Sequence, residues 1–209
     1  MLQNSYDLIA SEWHANFRGQ AYVDHVLAYV DEILKGVPPG AKVLDLGCGT
    51  GNPIAKHIVE RGFRVVGYDQ SNELLAIAKT VVPEGEFIHA DMVDVEFEGT
   101  FAAAVAWDSI FHVERKHHAA IYTKIAASLD DGGRLLLSVG ASDAASAEDP
   151  NAEGFTSQMF GQAFFYSGYA TDVSRALLET AGFEIELWEL DDPASHGHIA
   201  VIGRKTAAS

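Results

Sequence analysis

The segment from Val43 to Asn52 has the residue types and spacing of a ligand-binding loop. It follows a run of apolar residues, precedes a predicted helix and carries three alternating glycines, Gly47, Gly49 and Gly51. Glycine lets the backbone turn tightly and approach a ligand closely, and a helix start directs unpaired N–H groups at the crevice beyond the strand. We therefore expect this segment to hold a ligand, with the carboxylate of Asp45 beside it.

The spacing of the glycines separates two kinds of nucleotide loop. A dinucleotide fingerprint, G-x-G-x-x-G, starting at Gly47 requires glycine at position 52, where this chain has Asn52. The spacing present, D-x-G-x-G-x-G, disfavours a nicotinamide cofactor. Neither Tyr6 nor Tyr29 begins a Tyr-x-x-x-Lys pair. A nicotinamide oxidoreductase is therefore the less favoured alternative.

Asp69 supplies a further polar group at the end of a predicted strand. It lies about 20 residues after the glycines, a separation typical of a ribose-binding acid. A carboxylate suits a ribose diol because one anionic group accepts hydrogen bonds from two hydroxyls. Open parallel sheets bind ligands across the carboxyl ends of their strands. We expect Asp45 and Asp69 to lie at that edge together.

Five segments, in chain order, resemble the motifs of the class I S-adenosylmethionine-dependent methyltransferases, and the resemblance extends over nearly the whole chain. They are Val43–Asn52, Gly67–Ser71, Ala90–Met92, Ala106–Val113 and Leu129–Leu135. In this family the first segment is the glycine loop, the second holds the ribose, the third contacts the adenine and the fourth lies beside the transferable methyl group. The resemblance implies S-adenosyl-L-methionine as the cofactor.

The resemblance assigns cofactor contacts residue by residue. The assigned residues are Asp45, Gly47, Cys48, Gly49, Gly51, Asp69, Gln70, Asp91, Met92 and Trp107. Asp69 would accept from the ribose hydroxyls and Asp91 from the adenine amino group, while Met92 would flank the ring. Asp45 would fix the loop or the cationic amino group of the cofactor. The family gives the position of Cys48 a small residue and no chemistry, so we expect packing there.

Methyl transfer from a sulfonium is an in-line displacement, so the protein mainly binds, aligns and excludes water. Whether a base is needed depends on the acceptor. His112 is the candidate base because an imidazole titrates near neutral pH; its alternative role is structural. Asp108 could anchor or deprotonate a substrate amine, or could cap a helix. A protein that binds the cofactor without turnover is a further alternative.

Two segments outside the regular alternation are expected to shape the substrate site. Residues 1–36 read as an N-terminal cap of one or two amphipathic helices, and residues 141–170 as a long loop or lid. Their candidate substrate-binding residues are Tyr6, Trp13, Arg18, Phe160, Phe164 and Tyr166. For each aromatic the alternative is ordinary core packing, and Arg18 could pair with an anionic group or lie along the surface.

A metal site is not expected. His196 and His198 flank Gly197, with Asp191 and Asp192 nearby, but this spacing provides no third ligand in fixed geometry. The single cysteine excludes an internal disulfide.

Apolar runs of strand length alternate with segments of helical period, which predicts an α/β fold. The expected architecture is Rossmann-like: a doubly wound, mostly parallel, seven-stranded sheet with helices on both faces. The predicted strands are 42–46, 64–68, 86–89, 102–107, 134–139, 184–189 and 198–203. The connection before the last strand is too short for a crossover helix, so that strand should be antiparallel. The predicted helices after the cap are 52–61, 72–81, 116–129 and 171–181.

The amino-acid composition limits the kinds of partner that the protein is expected to bind. The chain has 209 residues, 14 Lys+Arg against 30 Asp+Glu and a formal net charge of −16. A single globular domain, residues 1–209, is expected. The acidic balance disfavours nucleic acid and anionic lipid, and the sequence has no signal peptide or membrane-spanning run. We expect a cytoplasmic monomer or homodimer acting on a small molecule; a protein substrate with a basic segment is the alternative.

Overall fold

Helices and strands alternate along the chain, and the computed structural model describes residues 4–16, 19–140, 154–191 and 198–207. The helices are α1 (Ser5–Ala15), α2 (Gln20–Leu34), α3 (Ile54–Glu60), α4 (Asn72–Val81), α5 (His118–Ser128) and α6 (Thr171–Thr180). The strands are β1 (Lys42–Leu46), β2 (Arg64–Asp69), β3 (Glu86–His89), β4 (Phe101–Ala106), β5 (Leu129–Gly140), β6 (Phe155–Met159), β7 (Gln162–Tyr166), β8 (Phe183–Leu190) and β9 (His198–Lys205). Short 3₁₀ turns lie at Ile110–His112 and Arg115–His117.

Seven strands form the main sheet in the order β3-β2-β1-β4-β5-β9-β8. Strands β1 to β5 pair in parallel, whereas β9 runs antiparallel to both β5 and β8. This confirms the predicted mostly parallel sheet with an antiparallel last strand. The register pairs Leu46 with Tyr68 and Asp45 with Val105, so the carboxyl ends of β1, β2 and β4 meet at one edge.

The helices cover both faces of the sheet, as the doubly wound architecture predicts. Side chains of a strand point alternately to opposite faces, so Val43 and Leu44, both fully buried, belong to different apolar clusters. The cluster around Val43 includes residues of α2, α3 and α4, and the cluster around Leu44 includes residues of α5 and α6. The central strands β1 and β4 are therefore buried on both faces, which leaves their carboxyl ends as the places where a ligand can approach them.

Some predicted boundaries are wrong by a few residues. Helix α3 begins at Ile54 rather than Asn52, because the residue before Pro53 is disfavoured in helical conformation. Strand β5 begins at Leu129 rather than Arg134: Leu129 pairs with Phe101, after which the register shifts and residues 130–133 form a bulge. The 3₁₀ turn at 115–117 delays α5 to His118.

The prediction of a loop over residues 141–170 is wrong for its described part. Strands β6 and β7 pair as an antiparallel hairpin, with Met159 opposite Gln162. The turn residues Phe160 and Gly161 both have positive φ, 49° and 74°, as a type I′ hairpin turn requires. Gly161 at the second turn position is typical of such a turn. A phenylalanine at positive φ is uncommon, however, so the sequence pattern did not predict the turn. Residues 141–153 lie outside the described residues.

The N-terminal segment, for which one or two helices were expected, contains α1 and α2. Asn4 caps α1 by accepting from the Tyr6 backbone N–H at 3.0 Å. Two hydrogen bonds join helix α1 to the rest of the fold, one on each side of Tyr6. Ser5 Oγ donates to Ala163 O at 2.9 Å, and Ser71 Oγ donates to Asp7 Oδ1 at 2.6 Å. In the part of the chain that the structure describes, no helix is long and apolar enough to cross a membrane.

Candidate active site

A cavity of about 470 Å³ opens where β1, β2 and β4 end. Its walls come from the glycine loop, the segments that follow β2, β3 and β4, helices α1 and α2, and the hairpin. Of the predicted site residues, those lining the cavity are Tyr6, Trp13, Asp45, Gly47, Cys48, Gly49, Asp69, Gln70, Asp91, Met92, Trp107, Asp108 and His112. The fold therefore brings together residues that lie far apart in the sequence.

The glycine loop is held against the end of β2. The backbone N–H groups of Gly47 and Cys48 both donate to Tyr68 O, at 2.8 and 3.1 Å. Gly47 has φ +81°, and a Cβ added there would lie 2.3 Å from Ser109 Cβ. Glycine is thus required at position 47 both by the backbone conformation and by the close approach of the segment after β4.

The remaining loop residues contribute unequally. Gly51 is not among the residues that line the cavity, and a Cβ there would lie 3.3 Å from Val82 and 3.5 Å from Ala78, at the end of α4. Cys48 reaches the cavity wall, and burial together with nearby Asp45 raises the pKa of its thiol, so it is not a thiolate nucleophile.

Two buried carboxylates lie behind the loop. Asp69 accepts from Gly49 N–H through Oδ2 and from Ser71 N–H through Oδ1, both at 2.9 Å. Asp45 is only 2% exposed, and its Oδ2 has no hydrogen-bond partner among the described residues. Burial, reinforced by the charge of Asp69, raises the pKa of Asp45 to about 7. A cation bound here would gain a carboxylate partner.

The segment after β3 is a braced loop. Asp91 Oδ1 accepts from Val93 N–H at 2.8 Å, which leaves Asp91 and Met92 at the cavity wall. Lys124 Nζ, from α5, donates to three backbone carbonyls of this loop, those of Met92, Val93 and Val95, at 3.2, 2.7 and 3.0 Å. Lysine is a triple donor, so one side chain fixes the whole turn.

A chain of side-chain hydrogen bonds lies next to the end of β4. Trp107 Nε1 donates to Tyr22 Oη at 2.8 Å, and Tyr22 Oη donates to Asp108 Oδ2 at 2.9 Å. The other carboxylate oxygen accepts from Ser138 Oγ at 3.2 Å and lies 3.3 Å from His198 Nδ1. Asp108 has φ +48°, a conformation unusual for a residue with a side chain. It is not a helix cap, the structural alternative considered for it.

His112 sits between two partners. Its Nε2 lies 2.9 Å from Tyr6 Oη, and its Nδ1 lies 2.9 Å from Phe165 O. Because a carbonyl only accepts, Nδ1 carries the proton, and in the neutral ring Nε2 accepts from the tyrosine hydroxyl. Desolvation lowers the pKa of His112 below its usual value, partly offset by the bond to Phe165 O and the charge of Asp108.

The other predicted substrate residues lie outside the cavity wall. Phe164 is 4% exposed and packs against Tyr6, and the Tyr166 ring packs 4.7 Å from His112, so both act as supports. Phe160 is 41% exposed at the hairpin tip, because the turn directs it to solvent. Arg18 lies outside the described residues.

Sequence reasoning did not single out several of the residues that line the cavity. They include Tyr22, Thr50, Asp94, Ser109, Glu114 and His117. Tyr22 is an aromatic residue in a segment already expected to shape the site, so its residue type was a signal. Which face of α2 or of the hairpin turns inward is decided by packing, and no local pattern gave it.

The described residues contain no group of three or more His, Cys, Asp and Glu side chains that could hold a metal ion. His198 faces Asp108, and Asp191 lies 3.0 Å from His25 Nε2. His196 and Asp192 lie outside the described residues.

Part of the chain is similar in sequence to known methyltransferases. Residues 43–133 match the family model described as "Methyltransferase domain". An uncharacterized methyltransferase of Alkaliphilus oremlandii is 30% identical over 96 residues, 45% of this chain and 43% of that protein. The putative methyltransferase YqeM of Bacillus subtilis is 35% identical over 86 residues, 39% of this chain and 34% of that protein. The matches thus span about half or less of these relatives' own length.

Solved structures share the fold across most of the chain. An S-adenosylmethionine-dependent methyltransferase of Clostridium acetobutylicum superposes with a TM-score of 0.74 at 14% identity, covering 98% of this chain and all of that one (100%). Magnesium protoporphyrin IX methyltransferase of Synechocystis PCC 6803, with bound SAM, gives a TM-score of 0.67 at 20% identity, over 90% of this chain and 79% of that one. Residues 43–133 are thus similar to methyltransferase domains, and the chain shares the fold of S-adenosylmethionine-dependent methyltransferases.

Proposed function

We propose that this protein transfers a methyl group from S-adenosylmethionine to a nucleophile of a small molecule. The observation that carries the proposal is the cavity at the strand ends, which unites the glycine loop, the carboxylates of Asp45 and Asp69 and the braced 91–95 loop. The segments that carry these groups follow one another along the chain in the same order as the motifs of the S-adenosylmethionine-dependent methyltransferases.

The residues fit a cationic adenosyl cofactor. Each oxygen of Asp69 accepts one backbone hydrogen bond and retains capacity for a ribose hydroxyl. Asp45 Oδ2, buried and without a partner among the described residues, suits the ammonium of a methionine moiety. Asp91 and Met92, at the cavity wall, are proposed to hold the adenine, one by accepting from its amino group and the other by covering its face.

The protein's part in the transfer is alignment and exclusion of water. The cofactor supplies an activated methyl group, and an in-line displacement needs the acceptor atom on the far side of that group. Trp107 is fixed by its bond to Tyr22 and forms one wall. Tyr6 and Trp13 on α1 also line the cavity, and the hydrogen bonds of Ser5 and Asp7 hold that helix in place.

The acceptor is proposed to be a small molecule. A cavity of about 470 Å³ holds a cofactor and a compact acceptor, and its aromatic walls suit an apolar body. Some relatives are named for such reactions, among them an O-methyltransferase of Aspergillus nomiae, 28% identical over 153 residues. Asp108 and His112 are the polar side chains proposed to face the acceptor.

Calorimetric titration with S-adenosylmethionine, S-adenosylhomocysteine and NAD tests the cofactor. We expect micromolar binding of both adenosyl ligands and none of NAD. Mass spectrometry of methylated products from a panel of small phenols, amines and carboxylic acids then tests transfer. Tight NAD binding without S-adenosylmethionine binding would refute the proposal, and binding without any transfer would favour a protein that binds the cofactor without turnover.

A further inference from the structure

Tyr6 and His112 both line the cavity, and the hydrogen bond between them has a defined direction. Phe165 O fixes the proton of His112 on Nδ1, so Nε2 is the acceptor and Tyr6 Oη is the donor at 2.9 Å. Both ring nitrogens of His112 are therefore engaged. A substrate that donates a hydrogen bond to the Tyr6 hydroxyl would be linked through it to the imidazole.

The position of Tyr6 is set by its neighbours. Its ring makes edge contacts with Trp13 and Phe164, with centroids 5.9 and 4.8 Å apart. On either side of it, Ser5 and Asp7 bind β7 and the start of α4. Such a ring presents its hydroxyl at one place in the cavity, as a group that exchanges a proton with a substrate must.

The groups around His112 permit it to be the final proton acceptor. Tyr6 of α1, Tyr166 of β7, Asp108 after β4 and His198 of β9 face it. Desolvation lowers the pKa of the imidazole, so it is neutral and able to accept at pH 7. The charge of Asp108 favours the imidazolium once formed, whereas a protonated His198 opposes it.

The charge of the cavity restricts the acceptor. Several carboxylates line it, among them those of Asp45, Asp69, Asp91 and Asp108, so an anionic acceptor such as a carboxylate or phenolate is repelled. A neutral hydroxyl enters without that penalty, but it is a weak nucleophile until its proton begins to leave. The aromatic walls favour a planar apolar body on that hydroxyl.

We propose that Tyr6 is a catalytic residue for methyl transfer to the hydroxyl of a neutral phenol, with His112 receiving the proton through it. This rests on the proposed function. As the acceptor oxygen bonds to the methyl carbon, the carbon–sulfur bond breaks and its electron pair stays on sulfur. The phenolic proton moves to Tyr6 Oη while the proton of Tyr6 moves to His112 Nε2. The products are an aryl methyl ether, S-adenosylhomocysteine and an imidazolium that later returns its proton to solvent.

Substituted phenols test the relay. With 4-methylphenol, phenol and 4-nitrophenol as acceptors, Tyr6→Phe should lower kcat for the first two by roughly 100-fold or more. It should lower kcat far less for 4-nitrophenol, assayed at a pH where its hydroxyl is still protonated, because this more acidic hydroxyl needs little help. Affinity for S-adenosylmethionine should stay within about twofold, because the relay does not touch the cofactor's proposed partners. Tyr169→Phe, which removes a hydroxyl from a ring packed on Arg115 and His118, is the matched control and should leave kcat unchanged.

A pH profile separates the relay from a structural role. In the wild type kcat should rise with pH through the lowered pKa of His112, below about 6.5. His112→Gln, whose amide oxygen still accepts from Tyr6 but takes up no proton, should lose that limb. An equal loss of kcat by Tyr6→Phe for all three phenols, or full retention, overturns the relay.

The same experiment distinguishes the two proposals. A protein that binds S-adenosylmethionine and methylates matched anilines but no phenol overturns the hydroxyl assignment and leaves the proposed function standing. Methylation of none of the phenols or anilines by a protein that binds the cofactor also overturns the relay. Failure to bind S-adenosylmethionine removes the proposed function itself.

Discussion

At the scale of single residues, two buried carboxylates dominate the electrostatics of the cavity. Asp69 is stabilised by backbone N–H donors, which oppose the rise in its pKa that burial causes. Asp45 has an oxygen without such a donor among the described residues, and its pKa is raised to about 7. We therefore propose different partners for the two acids, hydroxyl donors for Asp69 and a cation for Asp45.

Asp69→Asn should weaken S-adenosylmethionine binding by one to two orders of magnitude. A hydrogen bond to a charged group contributes roughly 1.5–3 kcal/mol, and the amide nitrogen of asparagine cannot accept from Gly49 or Ser71. Calorimetry measures the change. Glu73→Gln, which removes the same charge from the exposed first turn of α4, is the control. Unchanged affinity in the Asp69 variant would contradict the ribose assignment.

Asp45 should release a proton when S-adenosylmethionine binds near pH 7. Its pKa is raised by burial and by Asp69, so the carboxyl is partly protonated there, and a bound cation would lower that pKa. Calorimetry in buffers of different ionisation enthalpy counts the protons released. Asp45→Asn should abolish the release, whereas Glu60→Gln on α3 should preserve it. Release that persists in the Asp45 variant would place the titrating group elsewhere.

At the scale of elements, the site depends on segments that carry little chemistry of their own. Helix α5 contributes Lys124, whose ammonium joins three carbonyls of the 92–95 loop. Helix α1 supplies a wall and is tied to the start of α4 by Asp7. The hairpin of β6 and β7 supplies the carbonyl that fixes the tautomer of His112. Each of these elements thus holds in place a group that belongs to another segment of the chain.

Lys124→Met should weaken S-adenosylmethionine binding about tenfold and leave kcat at saturating cofactor nearly unchanged. Methionine keeps the length of the side chain but removes the donors that hold the carbonyls, so the loop proposed to contact the adenine loosens. Kd from calorimetry and kcat from product formation are compared with those of Lys79→Met, which removes a charge from the exposed end of α4. A fall in kcat without a change in Kd would contradict this role.

At the scale of the whole molecule, the net charge of −16 governs the long-range electrostatics of the fold. Like charges repel one another in the compact state, and the repulsion between exposed groups is screened beyond about 8–10 Å at physiological salt. Surface ion pairs such as Arg61 with Asp31 and Arg134 with Glu186 act in the opposite sense. Exposed pairs contribute little on average, so repulsion should outweigh them.

Raising sodium chloride from low concentration to about 0.5 M should therefore raise the Tm by a few degrees, because screening removes more repulsion than attraction. Thermal unfolding followed by circular dichroism measures it. Sucrose, which stabilises without screening charge, controls for general solvent effects. A Tm that falls as salt rises would show that the ion pairs outweigh the net repulsion.

The amino-acid sequence alone determined the α/β class, the parallel sheet with its antiparallel last strand, and the loop and acids at the strand ends. Hydrophobic periodicity, glycine spacing and strand-end position are local signals, and parallel pairing brings such ends to one edge. The β6–β7 hairpin was not predicted from the sequence. The pairing of Tyr6 with His112 spans 106 residues. Only tertiary packing decides which face of a helix or hairpin meets the cavity, so only the folded structure revealed that contact.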